Sequence, residues 1–166
     1  MNFKAFCAII CAIYLWRITK MRAYFFGNMY LSSIQQGIQA AHTLAEMYTK
    51  YVRPDPGQEY FILEHWAREH KTMVLLNAGY GNEIRSLIEF FQTKENPLPW
   101  AYFNEELASL DGALTCVGII LPEEFYEAAK ELRTITPNSE TPFLNKLQTD
   151  WERALAARLN NYGLAR

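Results

Sequence analysis

Gln35, Gln39, His42 and Glu46 recur at steps of three and four residues, a spacing that lines four polar side chains along one side of an α-helix. Two amides, an imidazole and a carboxylate in one row can converge on a polar ligand, and the histidine among them exchanges a proton near neutral pH. Farther along the chain, Asn104, Glu105, Glu106 and Thr115 add an amide, two carboxylates and a hydroxyl. Neighbouring carboxylates work as general acid and base only where their surroundings differ, and on a loop they are ordinarily solvated. Metal chemistry is poorly provided for. His65 and His70 do not stand at the i and i+4 spacing of a helical ligand pair, and Cys7, Cys11 and Cys116 form no metal-ligand pattern. No metal and no cofactor is therefore expected. The loop Asn77-Ala-Gly-Tyr-Gly-Asn82 carries glycines between a strand and a helix. The third glycine of a dinucleotide fingerprint would fall at Ile84, and no P-loop lysine is present, so a turn with Asn82 as N-cap is the better reading.

The row of four belongs to a helix that should start at Ser32 or Ser33, with Ser33 and Gln36 in capping-box spacing. Ile34, Ile38, Ala41, Ala45 and Tyr48 form an apolar stripe beside the polar one, which predicts that this stripe packs on a sheet. Ahead of the helix, Arg22 to Asn28 reads as a short buried strand because of Ala23-Tyr-Phe-Phe26 and the Gly27-Asn28 stop.

Arg53-Pro-Asp-Pro-Gly57 then breaks the pattern. A second helix follows with Tyr60, Phe61, Leu63, Trp66 and Ala67 as its apolar face, then a buried strand over Met73 to Leu76 and a helix over Asn82 to Phe91. Trp100 to Phe103 predicts an edge strand after its prolines, and Asp111-Gly112 a turn. Leu114 to Leu121 is the strongest strand signal and is expected at the centre. Pro122 fits the first position of a helix running to about Arg133. A last helix is expected from Thr141-Pro142 through Leu159, closed by Gly163. Together these elements predict an α/β layer fold around a mixed sheet of four strands, with residues 21–133 as the domain and residues 134–166 as a helix packed on it.

The chain has 166 residues, half of them apolar, enough for one core. Its 16 basic and 18 acidic residues give no overall pull toward nucleic acid, and no DNA-binding signal is present. Three cysteines without a disulfide framework fit a reducing, cytoplasmic setting, with Cys116 as a small core residue. Residues 1–20 differ from the rest. Phe6 to Trp16 is apolar, preceded by Lys4 and followed by Arg17, Lys20 and Arg22. The run is short of the roughly twenty residues a bilayer span needs, and the following segment lacks a small-residue cleavage site. The favoured reading is that the native protein starts at Met21, directly before the first strand.

Gln39-Ala-Ala-His42-Thr, the strand Lys71 to Asn77 with its helix, and Gly112-Ala-Leu-Thr115-Cys-Val-Gly-Ile-Ile-Leu-Pro122 resemble the peptidyl-tRNA hydrolase family of archaea and eukaryotes. The resemblance covers about Met21 to Leu132 and rests on the family's G-K-I-A-A-Q-x-x-H-A helix and on a last strand that follows G-x-x-T. It implies a four-stranded mixed sheet and an enzyme that cleaves the ester between a peptide and transfer RNA. Gln39, His42 and Thr115 fall on matching positions. The family's lysine aligns with Gln35, the preceding glycine with Ile34, and its aspartate near Phe103 or Asn104, with Glu105 and Glu106 close by.

With the lysine and aspartate replaced, the expectation is a non-catalytic binding protein. It engages a host protein or an RNA through Gln35, Gln39, His42, Asn104 and Thr115. The alternative is a divergent hydrolase with His42 as base and Glu105 or Glu106 orienting it, Thr115 being a further catalytic candidate. The chain also resembles uncharacterised proteins of tailed bacteriophages, which implies a partner in the host.

Overall fold

The computed structural model describes residues 20–137 and 139–165; the expectations for the apolar run of residues 6–16 lie outside them. Five strands form one mixed sheet: β1 (Met21–Gly27), β2 (Met73–Asn77), β3 (Trp100–Asn104), β4 (Leu114–Pro122) and β5 (Gly163–Leu164), in the order β3-β4-β1-β2-β5. β1 and β2 are parallel, and the other pairings are antiparallel. The four-stranded expectation is corrected by β5, a two-residue strand paired to Leu76 and Asn77. Gly163, expected to close the last helix, belongs to this strand. The long apolar β4 is interior as expected, but β1 holds the centre.

Alternation along β1 sends its aromatic residues to opposite faces. Phe26 reaches Phe91 of α3 (Gly81–Phe91), and Tyr24 reaches Tyr126 of α5 (Glu123–Thr134), on one side. Phe25 faces α1 (Ser33–Tyr51) on the other. The remaining helices are α2 (Gln58–His65), the single turn α4 (Leu107–Leu110) and α6 (Asp150–Leu159). Trp151 of α6 stacks on Phe90 at 5.2 Å and donates its indole N–H to the Phe90 carbonyl, which holds the last helix against α3. It starts later than Thr141-Pro142 suggested. Glu131 takes the amides of Phe143 and Leu144 into a short 3₁₀ turn, and Thr149 caps the helix proper.

Several local readings shift. Ser32, not Ser33, caps α1, with Gln35 as its capping-box partner. Pro122 is the N-cap of α5 and not its first residue. Tyr80, not Asn82, caps α3, and the Glu83 carboxylate accepts the Tyr80 amide at the place where a phosphate would bind. β2 is only half-buried, with Met73 exposed. After α2 the chain makes a π-helical turn, Trp66–His70, whose wider winding brings residues five apart together. Hence the His65 and His70 rings meet edge-to-face at 5.1 Å, a contact that α-helical geometry does not predict.

The largest correction concerns α1. Its buried residues are Gln36, Gln39, Ala40, Thr43 and Met47. Ile34 is 77% and Ile38 50% exposed, and Ala41 and Ala45 also face outward. Four of the five residues expected on the sheet are therefore on the opposite side of the helix, and only Tyr48 of the stripe packs against the core. The cause lies in the sheet. A methyl group at Gly118 would sit 2.7 Å from Phe25 ring carbons and 2.9 Å from Met47 Cε, and one at Gly27 would sit 2.7 Å from Gln36 Oε1. The two glycines form a trough that α1 enters closely, and the unbranched side chains of Gln36 and Met47 fill it.

This packing makes Gly118 a spacing residue. Gly118→Ala should lower unfolding free energy by about 1–3 kcal/mol, the usual range for overpacking a core. Gly163→Ala, which meets nothing within 4 Å, should change it little. Urea unfolding of both variants measures the difference, and equal midpoints would contradict the close-approach account.

Candidate functional site

The inward face of α1 brings Gln39 to the β3–β4 pair. Gln39 is 5% exposed. Its Nε2 donates to Glu105 Oε1 at 2.6 Å, and its Oε1 accepts from the Thr115 hydroxyl at 3.0 Å. That hydroxyl also lies 3.2 Å from the Phe103 carbonyl, so one hydrogen serves two acceptors. Thr43 donates to the Gln39 carbonyl at 2.8 Å, which fixes the helix end of the arrangement. An amide buried this deeply needs such partners, because an unsatisfied one costs about 1–3 kcal/mol.

His42, one turn on, does not join this network. Its ring lies flat on Phe103, centroids 4.6 Å apart and planes 14° apart. Among the described residues no carboxylate holds its imidazole, and Glu105 is engaged by Gln39 instead. Gln35 is occupied at the start of the helix, where its Oε1 accepts from the Ser32 amide and hydroxyl. Asn104 ends β3 beyond a register shift at Phe103/Asn104 and is exposed. Glu106 precedes α4 on the surface. Of the residues singled out in the sequence, Gln39, Thr115 and Glu105 are thus bonded together and His42 stands beside them. Gln35 lies at the far end of the row.

Two cavities flank the network. One of about 300 Å³ has Asn28, Tyr30, Leu31, Leu107, Asp111 and Thr115 on its walls. The other, about 390 Å³, is a groove between α1 and β3 walled by Glu46, Thr49, Lys50, Tyr102, Phe103 and Asn104.

Lys50 was not singled out in the sequence, although it continues the row from His42 and Glu46 by one more four-residue step. Its ammonium group lies 3.7 Å from the centre of the Trp100 ring and donates to the Trp100 carbonyl at 3.0 Å. Tyr51 OH lies 3.2 Å from both the amide and the carbonyl of Trp100. These two side chains cover the free edge of β3 at that residue. Burial pushes the Lys50 amine down to about 8 and the Tyr51 phenol up to about 12. The Cys116 thiol is pushed up to about 12, again by burial, which suits a core residue and not a nucleophile.

Neither a protein-family model nor a curated protein sequence matches the chain. Among the described residues no group of three or more His, Cys, Asp or Glu can hold a metal ion, and no helix is long and apolar enough to cross a membrane.

Two outcomes follow from this geometry. Thr115→Val should cost about 1–2 kcal/mol because it leaves the buried Oε1 of Gln39 unpaired, and Gln39→Met should cost less because the Thr115 hydroxyl keeps the Phe103 carbonyl. The double variant should cost clearly less than their sum. Additive values from chemical denaturation would show that the bond between them does not form. For Lys50, trace labelling with an acylating reagent across pH 7 to 11 should show its amine becoming reactive near pH 8, below the ordinary lysine value of 10.5. A native state that favours the neutral amine binds fewer protons than the unfolded chain between those values. The contribution of Lys50 to stability therefore rises with pH through that window. Titration of Lys50 together with the surface lysines would contradict the desolvated placement.

Proposed function

We propose that this chain is a non-catalytic binding protein on a peptidyl-tRNA hydrolase-like α/β fold, and that it receives a segment of a protein partner in the groove between α1 and β3. The observation that carries this reading is the closed bonding of Gln39. The carboxylate that would orient a histidine base accepts from an amide, and the histidine lies flat on an aromatic ring with no acid behind it. General base chemistry needs the base within reach of the proton it takes and an orienting group behind the base. No carboxylate stands behind His42 among the described residues.

The groove itself suits a peptide. β3 is an edge strand, and edge strands offer unpaired amide and carbonyl groups to an extended segment. Lys50 and Tyr51 cover that edge at Trp100, and the walls beyond it offer Tyr102, Asn104, Glu46 and Thr49 as aromatic and hydrogen-bonding contacts. Lys50 is the one cation lining the two cavities described above. Tight binding of a nucleic acid draws on several phosphate contacts, so this lining favours a protein partner over an RNA end. The resemblance to bacteriophage proteins points to a host protein as that partner.

A divergent hydrolase is the second reading, favoured by the approach of Gln39, Glu105 and Thr115 to one another. Incubation of purified peptidyl-tRNA with the full chain, its His42→Ala form and its Gln35→Lys form separates the two. Binding without catalysis expects no ester cleavage by any of the three. Turnover by the unmodified chain that disappears in His42→Ala would overturn the proposal and make His42 a catalytic residue.

A further inference from the structure

The free edge of β3 is not uniform along its length. The Pro99 carbonyl accepts from the Ile120 amide, so by antiparallel alternation Ala101 and Phe103 turn their backbone groups to β4, and Trp100 and Tyr102 turn theirs away from it. Tyr51 and Lys50 occupy the amide and carbonyl of Trp100. The amide and carbonyl of Tyr102 have no partner among the described residues, and Tyr102 lines the groove of about 390 Å³. Glu46, on the α1 wall of the same groove, is exposed and joins no ion pair among the described residues. We propose that the occupant of this groove is an extended peptide segment that pairs its backbone with Tyr102 and brings a lysine or arginine side chain to Glu46. This rests on the binding reading proposed above and adds the chemistry of the partner.

The unpaired groups at Tyr102 select the kind of occupant. A donor and an acceptor on one residue of an edge strand are matched by the carbonyl and amide of a second extended chain, and a phosphodiester backbone has no such pair. Charge selects the side chain. Lys50 does not neutralise Glu46, because its ammonium group is held on the Trp100 ring and carbonyl. Glu105, just past β3, has the Gln39 amide as its partner and no cation. The unpaired charge at the middle of the groove is therefore negative, and an acidic segment would meet like charge there.

Alternation then places the cation within the segment. Phe103 points to α1, where its ring meets His42, and Trp100 and Tyr102 stack on the other face, where Trp100 meets Phe91 of α3. A residue paired with Tyr102 shares the Tyr102 face, so the residues on either side of it face α1, whichever way the segment runs. His42 lies at Phe103 and Lys50 at Trp100, which sets Glu46, midway between them on the helix, at the level of Tyr102. The basic residue is thus the immediate neighbour of the one paired with Tyr102. Of the two neighbours, the one beside Phe103 lies away from the Lys50 ammonium.

Selection of random seven-residue peptides on the immobilised full chain tests this, with hydrogen exchange of the Tyr102 amide, followed by nuclear magnetic resonance, locating each selected peptide. The selected peptides are expected to share a lysine or arginine and to slow exchange of the Tyr102 amide. They should bind Glu46→Gln about two- to fivefold less tightly, the loss of one exposed ion pair. Unchanged far-ultraviolet dichroism of that variant shows that the exposed substitution leaves the fold intact. Peptides that slow Tyr102 exchange without a shared basic residue, or with the same affinity for Glu46→Gln, would overturn this inference and leave the groove as a peptide site of other chemistry. Selection that yields no peptide slowing Tyr102 exchange would overturn the inference together with the binding reading it rests on.

Discussion

The close approach of α1 to the sheet governs what the rest of the molecule can do. Gly27 of β1 and Gly118 of β4 have no side chain where the helix crosses them, and Gln36, Met47 and the Phe25 ring occupy that space. The inner face of a helix seated this low carries slim or small residues: two glutamines, an alanine, a threonine and a methionine. Polar groups carried inward need hydrogen bonds inside. Gln36 donates to the Leu31 carbonyl, Thr43 to the Gln39 carbonyl, and Gln39 to Glu105. The network at Gln39 is therefore a result of helix depth, and it ties α1 to the β3–β4 pair and to the loop after β3.

The parts of this fold legible in the sequence are those whose signals are local. The apolar run of β4, the aromatic run of β1, the breaker between α1 and α2, and the Pro122-Glu-Glu start of α5 each announce themselves within a few residues. The burial of α1 does not, because the glycines that decide it lie on other strands. A periodicity argument correctly finds a stripe of isoleucine and alanine, yet it cannot tell whether a core or open surface faces that stripe. The π-turn that joins His65 to His70 and the two-residue β5 are illegible for a related reason, since each depends on pairing and packing with distant chain. At the site, residue types and the family resemblance single out Gln39, His42, Glu105 and Thr115. The bonds among them are set by tertiary geometry, and so Glu105 serves Gln39 and not His42.

Lys50 illustrates how edge protection and an open groove coexist on β3. An uncovered edge strand is open to pairing with any extended chain. Here the ammonium group and the Tyr51 hydroxyl cover the Trp100 peptide, while Trp100 and Phe91 pack beneath. The cation remains in a half-buried place because the ring face and the carbonyl both favour it, although burial alone disfavours its charge. Only the part of the edge beyond this clamp adjoins the groove, and the register shift at Phe103/Asn104 turns the strand there. The partner segment proposed above would thereby be limited to a short stretch of that edge.

α1 thus presents three faces with three different requirements. The inner face is restricted by the glycine trough, and the flank beside β3 carries His42, Glu46 and Lys50 to the groove. The outer face is exposed among the described residues. Its residues touch no core, so folding alone would be served equally by lysine or glutamate, which hold a helix at least as well as isoleucine and improve solubility. Isoleucine at positions 34 and 38 lowers helix propensity and exposes apolar area among the described residues. The inner glutamines and outer isoleucines answer the same question from opposite sides, for a helix set this deep into the sheet buries slim or small side chains and leaves Ile34 and Ile38 exposed among the described residues.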